Sequence, residues 1–171
     1  MFVGDRTSYK NFQRLAEAFS IIHQTDAHLH LICAGKPFSK AESELISRIG
    51  IASHTLRISV NDQHLKELYN RALLFVYPSY YEGFGIPILE AYTCNCPVAL
   101  SQASCFPENA AAYFDPFSVS SMAEAIKSVI YDEAERTRLI LAGKERIKLY
   151  SWEKATRQTE LVYRKVAKAV F

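Results

Sequence analysis

Apolar positions along this chain alternate between two rhythms. Met1-Phe2-Val3 is a short apolar run ending at Gly4, after which Phe12, Leu15, Ala16, Phe19 and Ile22 repeat at helical spacing. His28 to Ile32 alternates and runs into Cys33-Ala34-Gly35, the signature of a strand. A second amphipathic segment with Leu45, Ile46 and Ile49 stops near Gly50, and Thr55 to Ser59 offers a third short strand. Asn61 is placed to cap a helix carrying Leu65, Leu68, Tyr69 and Ala72. Leu73 to Tyr77 is continuously apolar and bounded by Pro78 and Ser79, the pattern of a central parallel strand covered on both faces. Ile86 to Thr93 then reads as a helix, Pro97 to Leu100 as a strand and Tyr113-Phe114 as a last, short one. From Ser121 the pattern is helical, with Ala125, Ile126, Val129 and Ile130 on one face and a second segment over Leu139 to Tyr150. Ser151 can cap a final helix from Trp152 to about Ala169.

Strands alternating with helices predict an α/β fold with a mostly parallel sheet, and right-handed crossovers make it a doubly wound, Rossmann-like sandwich with helices on both faces. Ligands of such sheets bind outside the carboxyl ends of the strands, which selects the loops after Val3, Ala34, Ser59, Tyr77 and Leu100. The opening strand is only about half of the usual ~5–6 residues, so it reads as a strand whose beginning has been cut away.

Composition narrows the classes. The 171 residues, 49% of them hydrophobic, suit one domain over 1–171 with a real core. A formal charge of +2 gives no global basic field of the kind that recruits nucleic acid or anionic membrane, so a charged partner must be recognised locally. Cys33, Cys94, Cys96 and Cys105 have neither disulfide-framework nor zinc-knuckle spacing, and reduced thiols in a cytosolic protein fit best. No apolar run approaches the ~20 residues of a membrane helix, and a soluble domain is expected.

Two of the selected loops carry unusual chemistry. Gly4-Asp5-Arg6-Thr7-Ser8-Tyr9-Lys10-Asn11 follows a strand and opens a helix. Cations are misplaced at the positive end of a helix unless an anion sits between them. Arg6 can fork onto phosphate oxygens, Lys10 can add a point charge and Gly4 allows close approach of backbone to ligand. The alternative is that both are ordinary solvated cations; no Walker or Gly-x-Gly-x-x-Gly fingerprint decides the case. In the loop after Tyr77, Gly83 and Gly85 permit a tight turn with bare amides, and Pro87 suits the first helical position. Glu82 precedes the glycines and Glu90 falls in the first helical turn, so both carboxylates can border one cavity. A ligand with hydroxyls on both sides of a pyrophosphate satisfies cations, amides and acids at once, which is the shape of a nucleotide-diphospho-sugar. The plainer alternative makes Glu90 a first-turn acid and Glu82 a solvated one.

The stretch Tyr80-Tyr81-Glu82-Gly83-Phe84-Gly85-Ile86-Pro87-Ile88-Leu89-Glu90-Ala91 resembles the Glu-x7-Glu motif of the large retaining glycosyltransferase group often called family 4, in the C-terminal half of its GT-B fold. Supporting elements are Phe2-Val3-Gly4 followed by Lys10-Asn11, Ala34-Gly35, Val60-Asn61-Asp62 before Leu65, Pro97-Val98, Pro107-Glu108 and Ser151-Trp152-Glu153, so the likeness covers nearly the whole chain. The resemblance implies transfer of a hexose-type sugar from a nucleotide-sugar to an acceptor hydroxyl with retention, in a setting such as polysaccharide biosynthesis. It implies that Arg6 and Lys10 bind the diphosphate with Gly4 beside them. Glu82 approaches the donor sugar and reaction centre, Glu90 holds the ribose hydroxyls, and the amides around Gly83, Phe84, Gly85 and Ile86 lie along sugar and phosphates. No separate cofactor is implied, since the nucleotide-diphospho-sugar is a co-substrate. No Asp-x-Asp triplet is present, and no metal is expected.

Three departures from the family pattern stand out. Asp5 occupies the position after the first glycine where many members carry Arg, displacing the cation to Arg6. The small glycine before Pro-Val is replaced through Cys94-Asn95-Cys96, which Asn tolerates in a left-handed backbone. Between Pro107-Glu108 and Tyr113-Phe114 the chain is a few residues shorter than usual and lacks the expected glycine. Nothing in the sequence resembles an acceptor site, so a carbohydrate or lipid-linked acceptor is expected to be met by a preceding domain, against which the final helix packs or beside which it stands alone. The resemblance also allows peripheral association of a full-length enzyme with the cytoplasmic face of a membrane. The isolated domain is expected to bind donor weakly and transfer little. A nucleotide-sugar binding module without transfer activity, and another GT-B enzyme such as an epimerase, are the alternative readings.

Overall fold

The computed structural model describes residues 1–6, 8–102 and 110–169. Its elements run β1 (Phe2–Val3), α1 (Phe12–His23), β2 (Leu31–Ala34), α2 (Lys40–Arg48), β3 (Thr55–Ile58), α3 (Asp62–Arg71), β4 (Phe75–Tyr77), α4 (Ile86–Thr93), β5 (Val98–Ser101), β6 (Ala112–Phe114), α5 (Val119–Ile130), α6 (Glu133–Ile147) and α7 (Trp152–Ala169). All strand pairs are parallel: β1 with β2 (Phe2 opposite Cys33), β2 with β3 (Leu31 opposite Thr55), β4 with β5 (Phe75 opposite Val98) and β5 with β6 (Ala99 opposite Ala112). They form two three-stranded sheets, β1-β2-β3 and β4-β5-β6. The Val76 amide donates to the Met1 carbonyl at 2.9 Å, so the sheets meet edge to edge along β1 and β4 in the order 3-2-1-4-5-6. The order reverses between β1 and β4, and loops leaving a parallel sheet on opposite sides of such a point open a crevice.

Period-2 alternation along β4 divides the core. Leu74 and Val76 join Phe12, Leu15, Phe19, Ile22, Met122 and Val129 under α1 and α5, whereas Phe75 and Tyr77 join Tyr69, Ile88, Ala91 and Tyr92 under α3 and α4. Helices therefore cover both faces, as the continuous apolar run over β4 predicts. On the second face α6 lies close against α4 because residue 143 is glycine: a Cβ there would sit 2.6 Å from Tyr92 Cδ1. The α4 helix ends on Asn95 at φ 57°, with Cys96 N–H donating to the Ala91 carbonyl at 2.9 Å and Asn95 N–H to Tyr92 at 3.1 Å. This is the left-handed stop that replacement of glycine requires.

Cys33, Cys94 and Cys96 are buried free thiols; burial pushes Cys33 up to about 12 and Cys96 up to about 11. Ser151 Oγ caps α7 by accepting from Lys154 N–H at 3.1 Å, and residues 152–167 of that helix lie exposed, Trp152, Val162, Tyr163 and Val166 included. Among the described residues no helix is long and apolar enough to cross a membrane. Thr7, Cys105, Pro107 and Glu108 lie outside the described residues, as does Asn109 at the start of the loop expected to be shortened.

Candidate functional site

At the crevice the loop after β1 is stitched to the loop after β4. Tyr80 N–H donates to the Tyr9 carbonyl at 2.8 Å, and the Asn11 side-chain amide donates to the carbonyls of Pro78 (3.1 Å) and Pro116 (2.8 Å). Asn11 is only 3% exposed and stands at φ 56° as the N-cap of α1, a left-handed conformation that Asn tolerates better than most residues. One buried side chain thus joins the loops following β1, β4 and β6. The stitching brings Lys10 Nζ to 2.5 Å from Glu82 Oε1, with side chains 15% and 13% exposed. The ammonium also lies 5.1 Å from the Tyr9 ring centre and 5.3 Å from that of Tyr77. Burial pulls the Glu82 carboxyl upward, but the hydrogen bond and charge of Lys10, with the neighbouring polar side chains of Ser79 and Tyr77, outweigh it and hold the group below the usual glutamate range. Glu82 is ionised at neutral pH.

Arg6 points elsewhere. Its Nε donates to Glu42 Oε1 at 2.9 Å and its Nη2 to the carbonyls of Lys36 (2.7 Å) and Pro37 (2.8 Å), while the guanidinium lies 4.7 Å from the Phe38 ring centre. The side chain is 3% exposed, and Nη1 is buried without a hydrogen-bond partner. Arg6 therefore ties the loop after β1 to the start of α2, and as it stands it is not turned toward Lys10 and Glu82. Gly4, at φ 111°, donates its N–H to Ala34 at 2.9 Å, and Gly35 lies so close that a Cβ on it would meet the Gly4 carbonyl at 2.6 Å.

The turn before α4 differs from expectation in two details. Gly85, at φ 81°, is the N-cap and Ile86 the first helical residue, so Pro87 is second. Glu90 then falls beyond the first turn, because the helix begins at Ile86, directly after the left-handed glycine and one residue ahead of Pro87. Gly83 and Phe84 are exposed ahead of it. Glu90 Oε2 accepts from the Tyr69 hydroxyl at 3.2 Å, and burial, with the Glu90 charge and hydrogen bond behind it, raises the Tyr69 pKa so that it remains a donor. Glu90, Tyr69, Phe84, Ile86 and Trp152 line a groove of about 1000 Å³ between α3, α4 and the start of α7, a volume at the upper end for small-molecule sites. Glu82 is not among its lining residues. The structure thus separates the two carboxylates expected to share one cavity: Glu82 faces Lys10 at the crevice, and Glu90 opens on the groove.

Two parts of the site are invisible in residue spacing. Asn11 is one, since nothing in a helical repeat marks a left-handed cap; an Asn directly ahead of the apolar periodicity is the available signal. The other is Arg14, whose Nη1 meets the Tyr80 hydroxyl while Tyr80 stacks on Phe117 at 4.9 Å and 11°. Among the described residues no three His, Cys, Asp or Glu side chains converge in a way that could hold a metal ion.

A parallel α/β sandwich with helices on both faces and a reversal of strand order between β1 and β4 is the doubly wound, Rossmann-like class of domain. The model of the glycosyl transferases group 1 family matches residues 1–146, and the chain belongs to that family. It is 32% identical over 173 residues to O-antigen chain mannosyltransferase B of Escherichia coli, covering 96% of this chain and 45% of that one. It is 30% identical over 188 residues to alpha-maltose-1-phosphate synthase of Mycolicibacterium smegmatis, covering 97% and 47%. Among solved structures, sucrose-phosphate synthase from Thermosynechococcus elongatus superposes with a TM-score of 0.81 at 25% identity, over 98% of this chain and 46% of that one. The Anabaena HepE structure in complex with UDP and glucose has the same fold, with a TM-score of 0.83 at 17% identity over 96% and 47%. The chain spans slightly less than half the length of these relatives. Its architecture is that of the C-terminal half of a GT-B glycosyltransferase.

Proposed function

We propose that this chain is the donor-binding half of a retaining hexosyltransferase that takes its sugar from a nucleotide-diphospho-sugar. The observation that carries the reading is the meeting of Lys10 and Glu82 at the point where the strand order reverses, beside the exposed turn that leads to Glu90. Lys10 neutralises the diphosphate as it departs, and amides of Gly83, Phe84, Gly85 and Ile86 hold sugar and phosphate oxygens. One preorganised donor at a developing anion is worth ~3–4 kcal/mol, so a cation in that place accounts for a large rate effect. Glu82 accepts hydroxyls of the donor sugar at the reaction centre, and Glu90, kept in place by Tyr69, accepts those of the ribose. Gly4 keeps the backbone open beside the diphosphate. Arg6, spent on Glu42 and two carbonyls, shapes the loop that presents Lys10 rather than touching phosphate directly.

The acceptor, a carbohydrate or a lipid-linked carbohydrate, is met by a domain outside this chain, and the whole enzyme works in the cytoplasm or at the cytoplasmic face of a membrane. The name of the Escherichia coli relative, an O-antigen chain mannosyltransferase, supports a role in polysaccharide assembly. No cofactor or metal is required, the nucleotide-sugar being a co-substrate. A thermal-shift panel of UDP-, GDP- and ADP-sugars on the chain, with Lys10→Ala as control, tests donor binding. Adding an upstream acceptor domain and assaying Glu82→Gln tests turnover, with the product anomer read by NMR. Wild-type-like turnover of Glu82→Gln would remove its catalytic role and favour a binding module, and an inverted product would remove retention.

A further inference from the structure

The Lys10–Glu82 pair contains a conflict. The ammonium needed for the diphosphate is neutralised by the carboxylate needed at the donor sugar. The 2.5 Å contact is made by two side chains that are only 15% and 13% exposed, and the Tyr9 and Tyr77 ring centres lie 5.1 and 5.3 Å from the ammonium. A diphosphate brought onto Nζ would meet the Glu82 charge within a few ångström, where like charges in a poorly hydrated site repel strongly. One anion has to yield. Glu82 is the one able to move: Gly83 follows it with open space where a side chain would be, and left-handed Gly85 ends the same loop. Small residues of this kind absorb the backbone change of a loop shift.

Resting on the donor-site reading above, we propose that Lys10 and Glu82 form an exchange pair: the empty site holds Glu82 on Lys10, and an arriving diphosphate takes Lys10 and frees the carboxylate for the donor sugar. Glu82 then opposes the diphosphate and assists the sugar. An intact donor compensates the freed carboxylate with hydroxyls; a nucleoside diphosphate left after transfer does not. Re-formation of the ion pair therefore helps to expel the spent nucleotide, product release being a step that limits turnover in many enzymes.

Isothermal titration of the full chain with UDP, GDP, ADP and inorganic pyrophosphate tests the exchange, using wild type, Glu82→Gln, Lys10→Met and the double variant, each checked for folding by circular dichroism. The diphosphate that binds wild type should bind Glu82→Gln about tenfold more tightly, a change of the size usual for coupling between two interacting binding events. The gain should vanish in the Lys10→Met background, since the cycle isolates the pairwise effect. With the matching nucleotide-sugar the gain should shrink or reverse. Glu82→Asp, whose carboxylate is retracted by one methylene, should show part of the gain. Equal or weaker diphosphate binding by Glu82→Gln would overturn the exchange, and so would a gain that persists without Lys10, which would mean simple field repulsion. Diphosphate binding that depends on Lys10 but not on Glu82 leaves the donor site standing and removes the exchange alone; no binding by any variant removes both.

Discussion

Asn11 is where loop architecture and stability are most tightly joined, and its replacement by alanine has a calculable cost. Its side chain makes two buried hydrogen bonds, to the carbonyls of Pro78 at 3.1 Å and Pro116 at 2.8 Å. Truncation removes both and strands the two acceptors, at roughly 1 kcal/mol or slightly more for each. Alanine must also take the left-handed φ of 56° that Asn occupies, for roughly 1 kcal/mol more. The total of about 3–4 kcal/mol corresponds, for a domain of this size, to a fall in Tm of about 6–16 °C. Asn11→Gly removes the bonds without the backbone strain and should recover about 1 kcal/mol of the loss. Scanning calorimetry of the three proteins measures both differences. A fall of less than about 2 °C for alanine would refute the reasoning, as would glycine being no better than alanine, because the first denies the bonds and the second the strain.

Arg6→Ala should destabilise the fold by about 3 kcal/mol in urea melts, the usual loss when one partner of a buried ion pair is removed, and Arg6→Lys should rescue little because one ammonium cannot reach Glu42, Lys36 and Pro37 together. Gly143→Ala should cost about 1–3 kcal/mol, read by the urea midpoint, because the new methyl would meet the buried Tyr92 ring at 2.6 Å. The folded pKa of Glu82 lies below its unfolded value, so its pairing stabilises the protein above the unfolded glutamate pKa and is lost as pH falls through the folded one. The stability gap between wild type and Lys10→Met should therefore be full at neutral pH and close in acid below about 4; a gap of constant size in urea melts at both extremes would contradict the pairing.

Much of the fold is legible from periodicity, because the side chains that bury one face of a helix or strand recur within a few residues of each other. The predicted cores of α1, α3 and β4, the Asn61 and Ser151 caps and the left-handed Asn95 are all local matters of this kind. The limits of α4 are local too, although the first-turn position expected for Glu90 was not met, since the helix begins at Ile86, directly after left-handed Gly85 and one residue ahead of the proline expected to open it.

The sequence by itself determined an α/β chain, the strands whose carboxyl ends carry chemistry and the family to which those residues belong. Tertiary structure alone decided which loops meet. Lys10 and Glu82 are 72 positions apart and become a pair only because β1 and β4 lie side by side where the strand order reverses. Arg6 and Lys10 are near neighbours in the chain yet part company, since a long side chain goes to whichever carbonyls and carboxylate the packed loops offer, here those around Glu42. Periodicity records what a residue buries; which distant group it faces is set by strand order and packing, and those depend on the whole chain at once.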